Sequence, residues 1–207
     1  MILPNLDIES SLWQKGYRYI VGIDEVGRGS WAGPLVAAGV IFPVGVQIPQ
    51  GLADSKLVKP FQRIKLAKVI KGFAQATYIA QISPKRIDSI GIAGATHEAF
   101  REIARKIVPS PQFCLIDAFY IRYFSRKKQM AVKDGDKICV SISAASIVAK
   151  VYRDDLMKKL HKIYPNYGFA KHKGYGTKLH QEAIKKFGLS NVHRRSYNLN
   201  FFRNASF

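Results

Sequence analysis

The sequence contains few acidic side chains, few cysteines and no apolar run that approaches the ~20 residues needed to cross a bilayer. Only 14 Asp and Glu residues accompany 33 Lys and Arg, which gives a formal net charge of +19. This excess predicts a polyanionic partner, and because no basic amphipathic helix dominates, nucleic acid is favoured over a membrane surface. The first residues lack the basic start and apolar core of a signal peptide, so we expect a cytoplasmic protein.

Cysteine and histidine are too sparse and too scattered for a disulfide framework or a zinc site. Cys114 and Cys139 both lie in apolar, strand-like runs, where a thiol is usually a small buried side chain, and we predict no disulfide. The five histidines form no cluster with cysteine at zinc spacing. No internal repeat, low-complexity linker or domain boundary is visible, so residues 1–207 are predicted to form one compact α/β domain.

Apolar periodicity alternates between strand and helix patterns along the chain. Predicted strands lie at residues 20–23, 35–42, 77–82, 113–116 and 129–132. Predicted helices lie at residues 60–72, 92–107, 141–164 and 178–187. A short helix opened by Ser83 and Pro84 precedes the second of these, and a helix or arm is expected before residue 18. The alternation of strands and helices predicts an α/β fold.

For two of the predicted helices, the sequence also predicts which residues face the core. The apolar stripe of the first helix is predicted to comprise Phe61, Ile64, Ala67 and Ile70. The core stripe of the helix at 141–164 is predicted to comprise Ala145, Val148, Tyr152, Leu156, Leu160 and Ile163. Another face of this helix carries Ser146, Lys150 and Arg153, and it is either solvated or turned toward phosphate.

The stretch YIVGIDEVGRG brings two carboxylates to the end of the first strand. Asp24 and Glu25 are adjacent, and two neighbouring carboxylates near a buried strand are costly unless a cation neutralises them. Oxygen-only ligands of this kind suit Mg²⁺ or Mn²⁺. The glycines of the following Gly27-Arg28-Gly29 turn leave backbone N–H groups uncovered, and the Arg28 guanidinium adds donors for phosphate or sugar oxygens. Taken alone, the acids are equally compatible with a solvated turn.

Further acids follow later strands. Asp117 comes directly after the strand at 113–116, and it would meet Asp24 and Glu25 if the two strands are neighbours, because ligands gather at the carboxyl ends of strands in open α/β sheets. Asp136 lies in the glycine turn Lys133-Asp134-Gly135-Asp136. Four such carboxylates can hold two divalent ions about 4 Å apart for phosphodiester hydrolysis.

Seven motifs give the chain a resemblance to the ribonuclease HII family. They are YIVGIDEVGRG with AGPLVAAGVIF, DSK, LIDA, SISAASIVAKVYRD, GYGTKLH and HRRSY, in this order and over nearly the whole chain. The resemblance implies a ribonuclease H-like fold, with a five-stranded mixed sheet whose first three strands are antiparallel and with helices on both faces. It also implies a small C-terminal helical extension, from about residue 165 to 207, that binds substrate.

The resemblance implies roles for individual residues. The catalytic and metal-binding acids are expected at Asp24, Glu25, Asp117 and Asp136. The turn Gly27, Arg28 and Gly29 is expected to read the 2′-hydroxyl of a ribonucleotide followed by DNA, and Tyr175 to stack on the neighbouring deoxynucleotide sugar. Candidate phosphate contacts are Lys56, Ser143, Ser146 and Lys150, although Lys56 in its DSK triplet is also typical of an ordinary turn.

This sequence departs from the family pattern in two places. Ser30 and Trp31 follow the GRG turn where the family usually has Pro-Leu, which changes the packing of the turn but keeps its donors. The turn before the fourth acid contains an extra residue, so Asp134 remains a possible substitute for Asp136, although the distance to the SISAAS segment favours Asp136.

The implied function is a Mg²⁺- or Mn²⁺-dependent endoribonuclease, with two ions during turnover, that acts as a monomer. Its expected substrates are RNA–DNA hybrids and duplex DNA containing single ribonucleotides, cut on the 5′ side of the ribonucleotide to leave 3′-hydroxyl and 5′-phosphate ends. A nucleic-acid-binding module with structural acids is the alternative. A dinucleotide-binding enzyme is disfavoured, because GRGSWAG lacks the G-x-G-x-x-G spacing and the two acids would repel a pyrophosphate.

Overall fold

A five-stranded mixed sheet forms the centre of the computed structural model, which describes residues 3–48, 51–52, 59–197 and 199. The strands are β1 Ile20–Val26, β2 Leu35–Ile41, β3 Ala76–Ile82, β4 Phe113–Asp117 and β5 Gln129–Val132. Their spatial order is β3-β2-β1-β4-β5. β1, β2 and β3 pair antiparallel, whereas β4 pairs parallel with both β1 and β5. The predicted α/β class and the predicted antiparallel first three strands are confirmed.

Helices cover both faces of this sheet. They are α1 Asp7–Gln14, α2 Pro60–Phe73, α3 Pro84–Lys106, α4 Gly135–Ile138, α5 Val140–Ile163, α6 Phe169–His172 and α7 Lys178–Phe187. Helix α3 is interrupted at Gly91, which has a φ of 71°, in agreement with the two helices predicted for this segment. Within the described parts of the chain, no helix has the length and apolar character required to span a membrane.

Strand β2 shows why the sheet is buried on both sides. Leu35, Ala37 and Ile41 pack into a cluster with α3, whereas Val36 and Val40 pack into a second cluster with α2 and α5. Side chains alternate between the faces of a strand, so a strand covered on both faces needs apolar residues at every position. This explains the uninterrupted apolar run of β2.

Helix α5 lies unusually close to β1. A Cβ atom on Gly22 of β1 would lie 2.2 Å from the backbone carbon of Ser141 in the first turn of α5. Only glycine permits this approach. The close contact brings the polar side chains of the first turns of α5 near the carboxyl end of β1.

A buried carboxylate of α1 fixes the start of α5. Oε1 of Glu9 accepts hydrogen bonds from the backbone N–H of Ser141, at 2.8 Å, and from the thiol of Cys139, at 3.1 Å. Negative charge at a helix N-terminus is favourable because the first N–H groups have no partner within the helix. Glu9 was not identified from the sequence, since its thiol partner lies 130 residues away.

The predicted helix faces are partly wrong. Phe61 and Ile64 of α2 are exposed, and Arg63 is buried instead. Tyr152 and Ile163 of α5 are also exposed. The Arg63 guanidinium lies 3.6 Å from the Asp154 carboxylate of α5, an ion pair that compensates for the burial of its charge. The buried face of α2 therefore comprises Arg63, Leu66, Ala67 and Ile70.

Candidate active site

Three of the candidate acids, Asp24, Glu25 and Asp117, lie at the same edge of the sheet. Ile23 of β1 is in register with Ile116 of β4, so the residues that follow, Asp24 and Asp117, lie side by side at the carboxyl ends of parallel strands. The predicted adjacency of these strands is confirmed. A cavity of about 410 Å³ opens there, lined by Asp24, Glu25, Val26, Asp117, Asp136, Ser146, Lys150 and Tyr175.

Burial makes the two acids of β1 unusually basic. It raises the pKa of the Asp24 carboxyl well above its ordinary value, with a further increase from the Glu25 charge, and a hydrogen bond from Ser146 partly offsets this. Burial also raises the pKa of Glu25 to about 7, although the nearby Arg28 guanidinium, 3.6 Å away, opposes the shift. The charge of Asp117 raises both pKa values. Negative charge at this position is therefore costly and would be stabilised by a cation.

The turn between β5 and α5 separates the two candidates for the fourth acid. Asp136 is buried and lines the cavity. Asp134 has a half-exposed side chain that forms an ion pair with Lys137, at 2.7 Å. The backbone N–H of Gly135 donates a 2.8 Å hydrogen bond to Oδ1 of Asp117 and so orients that carboxylate. The geometry favours Asp136 as the fourth acid.

The donor chemistry of the cavity fits a hard divalent cation. All four carboxylates offer oxygen, and Oε2 of Glu25 is buried without a hydrogen-bond partner in the described structure. Oxygen donors without nitrogen or sulfur favour Mg²⁺ or Mn²⁺. Among the described residues, no group of three or more Asp, Glu, His or Cys side chains is already arranged to hold an ion.

The glycine turn beside the acids has a conformation that only glycine supports at its first position. Gly27 has a φ of 91°, and a Cβ atom there would lie 2.2 Å from Nε of Arg153. Gly29, by contrast, has open space where a Cβ atom would be. The Arg28 guanidinium lies 4.6 Å from the centre of the Phe119 ring, so the turn contacts the segment that follows β4.

The prediction for the polar face of α5 is wrong at Arg153, which is neither solvated nor turned toward phosphate. It is fully buried, and it donates hydrogen bonds to the carbonyl oxygens of Pro34 at 3.0 Å, Lys173 at 3.0 Å and Ala32 at 3.2 Å. Burial lowers the pKa of its guanidinium to about 10. Arg153 therefore joins the segment after the GRG turn to the loop that carries Tyr175.

A second buried arginine, Arg194, holds the GRG turn itself. Its guanidinium donates to the carbonyl oxygens of Gly33, at 3.0 Å, and Arg28, at 2.8 Å. Tyr197 also donates its hydroxyl to the Arg28 carbonyl oxygen. These residues lie in the HRRSY motif, and the burial of Arg194 was not predicted.

The loop that carries Tyr175 packs directly on Trp31. The carbonyl oxygen of Gly174 accepts a 2.8 Å hydrogen bond from the Trp31 backbone N–H, and a Cβ atom on Gly176 would lie 2.2 Å from the indole ring. The departure from the family pattern at Trp31 thus supplies part of the support for this loop. Tyr175 is 37% exposed and faces the cavity.

A directed chain of hydrogen bonds between buried histidines reaches the same loop. The Ser190 backbone N–H lies 2.9 Å from Nδ1 of His193, Nε2 of His193 lies 3.0 Å from Nε2 of His180, and Nδ1 of His180 lies 2.9 Å from the Tyr175 carbonyl oxygen. Both rings satisfy these partners as neutral tautomers, with His193 donating to His180. Burial lowers the pKa of His180 to about 3 and that of His193 to about 4, in agreement with this assignment.

The other candidate substrate residues are not equivalent. Ser146 and Lys150 line the cavity, and the Lys150 ammonium donates a 2.8 Å hydrogen bond to Asp154. Ser143 is fully buried and does not line the cavity, so its placement gives no support to the predicted phosphate contact. Lys56 lies outside the described residues.

Aromatic residues of the C-terminal extension mostly build its core. Tyr167 and Phe169 are buried and stack with ring centres 5.5 Å apart, next to His193. Alternating glycine, basic and aromatic residues, as in this segment, are typical of a surface that stacks on nucleic acid. These two rings instead pack inside the extension, whereas Tyr175 remains partly exposed.

The mixed sheet, with carboxylates at the ends of adjacent strands and a basic surface, defines a protein of the ribonuclease H-like class. Residues 21–200 match the model of the Ribonuclease HII family. Ribonuclease HII of Acetivibrio thermocellus is 46% identical over 193 residues, which cover 93% of this chain and 75% of the relative. The chain belongs to the ribonuclease HII family, and it is an endoribonuclease of the type 2 ribonuclease H class that acts on RNA–DNA hybrids.

Solved structures agree with this family and with the fold. Ribonuclease H2 from Pyrococcus horikoshii OT3 has a TM-score of 0.74 at 26% identity, with coverage of 90% of this chain and 99% of that one. The PCNA:RNase HII complex from Archaeoglobus fulgidus contains a chain with a TM-score of 0.77 at 25% identity, and the match covers 91% of this chain and 98% of that one. The ribonuclease H-like fold predicted from the sequence motifs is therefore confirmed.

Proposed function

We propose that this ribonuclease hydrolyses the phosphodiester bond on the 5′ side of a ribonucleotide, both in RNA–DNA hybrids and at single ribonucleotides embedded in duplex DNA. The products would carry 3′-hydroxyl and 5′-phosphate ends. The observation that supports this proposal is a cavity lined by four carboxylates directly beside the GRG turn.

The acids of the cavity are proposed to hold Mg²⁺ or Mn²⁺. Bound divalent ions would activate a water molecule and stabilise the leaving 3′ oxygen of an in-line displacement. Asp24, Glu25, Asp117 and Asp136 would be their ligands. Lys150 and Ser146, on the adjacent face of α5, would orient the phosphate, with Asp154 holding the Lys150 ammonium in place.

Selectivity for ribose is proposed to come from the backbone of the GRG turn. A 2′-hydroxyl is the group that distinguishes RNA from DNA at one nucleotide, and rigid peptide groups can hydrogen-bond it where deoxyribose offers no partner. Gly29 is exposed and leaves its peptide group accessible, whereas Gly27 is buried against Arg153. Arg194 fixes the Arg28 carbonyl between the two glycines. Tyr175, which also lines the cavity, would stack on the next deoxynucleotide sugar.

Cleavage of a DNA duplex that contains one ribonucleotide, compared with an all-DNA duplex of the same sequence, tests the proposal. We expect cleavage of the first duplex with Mg²⁺ or Mn²⁺, no cleavage with EDTA, and a product with a 3′-hydroxyl end. Equal cleavage of both duplexes would contradict the proposed selectivity.

Matched acid variants assign the catalytic residues. Asp117→Asn and Asp136→Asn should abolish turnover but leave substrate affinity in Ca²⁺ near normal, because the GRG turn, Tyr175 and Lys150 would still contact the substrate. Asp134→Asn should remain active, since its carboxylate pairs with Lys137 at the surface. Activity in Asp136→Asn together with loss in Asp134→Asn would reverse the assignment of the fourth acid.

A further inference from the structure

The segment between β4 and β5 contains a concentrated set of aromatic and basic side chains that the proposed chemistry does not use. Residues 118–128 (AFYIRYFSRKK) include four aromatic and four basic residues and no acidic one. Tyr123 is 92% exposed, and Phe119 and Tyr120 are also exposed. Large exposed aromatic side chains next to arginine usually mark a binding surface.

A buried glutamine fixes the shape of this segment. Oε1 of Gln129 accepts a 2.6 Å hydrogen bond from the backbone N–H of Ile121, and its Nε2 donates to the carbonyl oxygens of Ile121 at 3.2 Å and Phe124 at 3.0 Å. The side chain is 4% exposed. Because the backbone is held before any ligand arrives, binding would cost little conformational entropy.

The aromatic and basic side chains are also held in place. The Arg126 guanidinium lies 3.8 Å from the centre of the Tyr120 ring, and both residues line a cavity of about 390 Å³. An arginine stacked flat on an aromatic ring keeps its N–H edge directed outward, where it can bind phosphate. The segment therefore presents phosphate donors at fixed positions.

This surface is continuous with the substrate turn. Phe119 contacts the Arg28 guanidinium, at 4.6 Å, and Arg101 of α3 donates a 3.3 Å hydrogen bond to the Arg122 carbonyl oxygen. The pKa of His97 is lowered first by burial and then by the charges of Arg122, Arg101 and Arg28, in agreement with a concentration of positive charge on this side of the molecule. Positive charge thus extends outward from the GRG turn.

We propose that Arg122 and Arg126, with the aromatic side chains between them, form an outer part of the substrate groove that binds backbone phosphates of the duplex beyond the scissile nucleotide. This inference rests on the proposed function, since it extends the same groove. The chemistry recognised is the sugar-phosphate backbone, so the contact should not depend on base sequence.

The double variant Arg122→Gln/Arg126→Gln tests this groove, with Lys159→Gln/Lys162→Gln as the control. Both pairs are exposed and remove the same charge. The control residues lie near the end of α5, about 20 Å or more along the helix from Ser146 at 1.5 Å per residue. Affinity for a duplex with one ribonucleotide is measured in Ca²⁺ as a function of salt concentration. The duplexes have either long flanks or flanks that are shortened stepwise on the 5′ or the 3′ side of the ribonucleotide.

We expect the arginine variant to bind the long duplex roughly tenfold more weakly than wild type, and the slope of log K against log salt to fall by about 2, as for two lost phosphate contacts. The difference should vanish when one flank is trimmed, which identifies the side that reaches the segment. The lysine variant should bind as wild type does.

Three results would overturn the inference: equal affinity of the arginine variant and wild type, equal losses in both variants, or a loss that persists on the shortest duplex. A separate measurement on the wild-type protein distinguishes failure of the proposed function from failure of the outer groove. If the proposed function is wrong, the wild-type protein will not cleave the ribonucleotide duplex in Mg²⁺. A wild-type protein that cleaves while the arginine variant binds normally would refute only the outer groove.

Discussion

The Arg194 guanidinium donates a 2.8 Å hydrogen bond to the backbone carbonyl oxygen of Arg28, 166 residues earlier in the chain. The Tyr197 hydroxyl donates to the same oxygen and accepts a 2.9 Å hydrogen bond from Arg194. Two side chains of the C-terminal segment thus converge on one peptide group of the GRG turn. The shape of that turn depends on residues that do not touch the acids.

Tyr197→Phe removes one of these donors while the ring stays in place. We expect kcat/KM on the single-ribonucleotide duplex to fall about fivefold, since one hydrogen bond contributes about 1 kcal/mol. The loss should appear mainly in KM, because the turn is proposed to bind substrate and not to carry the chemistry. Tyr152→Phe, which removes an exposed hydroxyl, is the control. A normal KM in Tyr197→Phe would show that the Arg194 hydrogen bond alone maintains the turn.

Alanine at the two glycines of the turn should have unequal effects. Gly27→Ala places a Cβ atom against Arg153 in a backbone with positive φ, so the free energy of unfolding should fall by about 1–3 kcal/mol and substrate affinity should also fall. Gly29→Ala meets open space and should change stability by about 0.5 kcal/mol or less. Urea unfolding and binding in Ca²⁺ measure both effects. Equal destabilisation would contradict the close approach of Arg153 to Gly27.

Asp24→Asn should stabilise the metal-free protein while it abolishes cleavage. Burial and the charges of Glu25 and Asp117 make an ionised Asp24 unfavourable, and the neutral amide can still bond to Ser146. We expect a gain of about 1–3 kcal/mol, which raises Tm by about 2–4 °C per kcal/mol for a chain of this size. Thermal unfolding in EDTA measures it, with exposed Asp155→Asn as the control. A lower Tm for Asp24→Asn would contradict the expected cost of its charge.

Acid should destabilise the protein through its buried histidines. The pKa values of His180 and His193 lie near 3 and 4, below the ordinary value of 6.5, so between about pH 6.5 and 4 the unfolded chain binds protons that the native protein does not. The free energy of unfolding therefore falls as the pH drops through this window. His193→Gln should reduce the pH slope by up to about 1.4 kcal/mol per pH unit. Urea unfolding across the window, wild type against variant, measures the change; identical slopes would contradict it.

Local sequence patterns were sufficient to predict the strands and the acids that follow them. The β-branched run before Asp24 and the apolar run before Asp117 each identify a strand, and the rule for carboxyl ends of strands brings the two acids together. A change of chain direction before α5 was also predicted, although Gly135 and Asp136 open the short helix α4 and do not form the predicted glycine turn. Each of these features depends on residues that are near one another in the chain.

Interactions over long sequence distances account for most of what was missed. The head groups of Arg153 and Arg194 are buried because backbone carbonyl oxygens from remote loops surround them, and no periodic pattern reports such partners. The same holds for Glu9, whose partners at the start of α5 lie about 130 residues away. Gln129 was missed although its partners are at most eight residues away, because no periodic pattern reports a side chain that bonds to loop backbone. The sequence placed Arg153 on a helix face that is solvated or turned toward phosphate. The carbonyl oxygens that bury it come from the tertiary fold, so the local pattern could not reveal them.

The position of Arg194 in the chain has a consequence for newly synthesised protein. The ribosome delivers β1, β4 and all four acids before the residue that fixes the GRG turn emerges. A nascent chain can therefore present its sheet and its acids while the GRG turn still lacks both C-terminal donors. The ribose selectivity proposed for this turn would be acquired after the cluster of acids has formed.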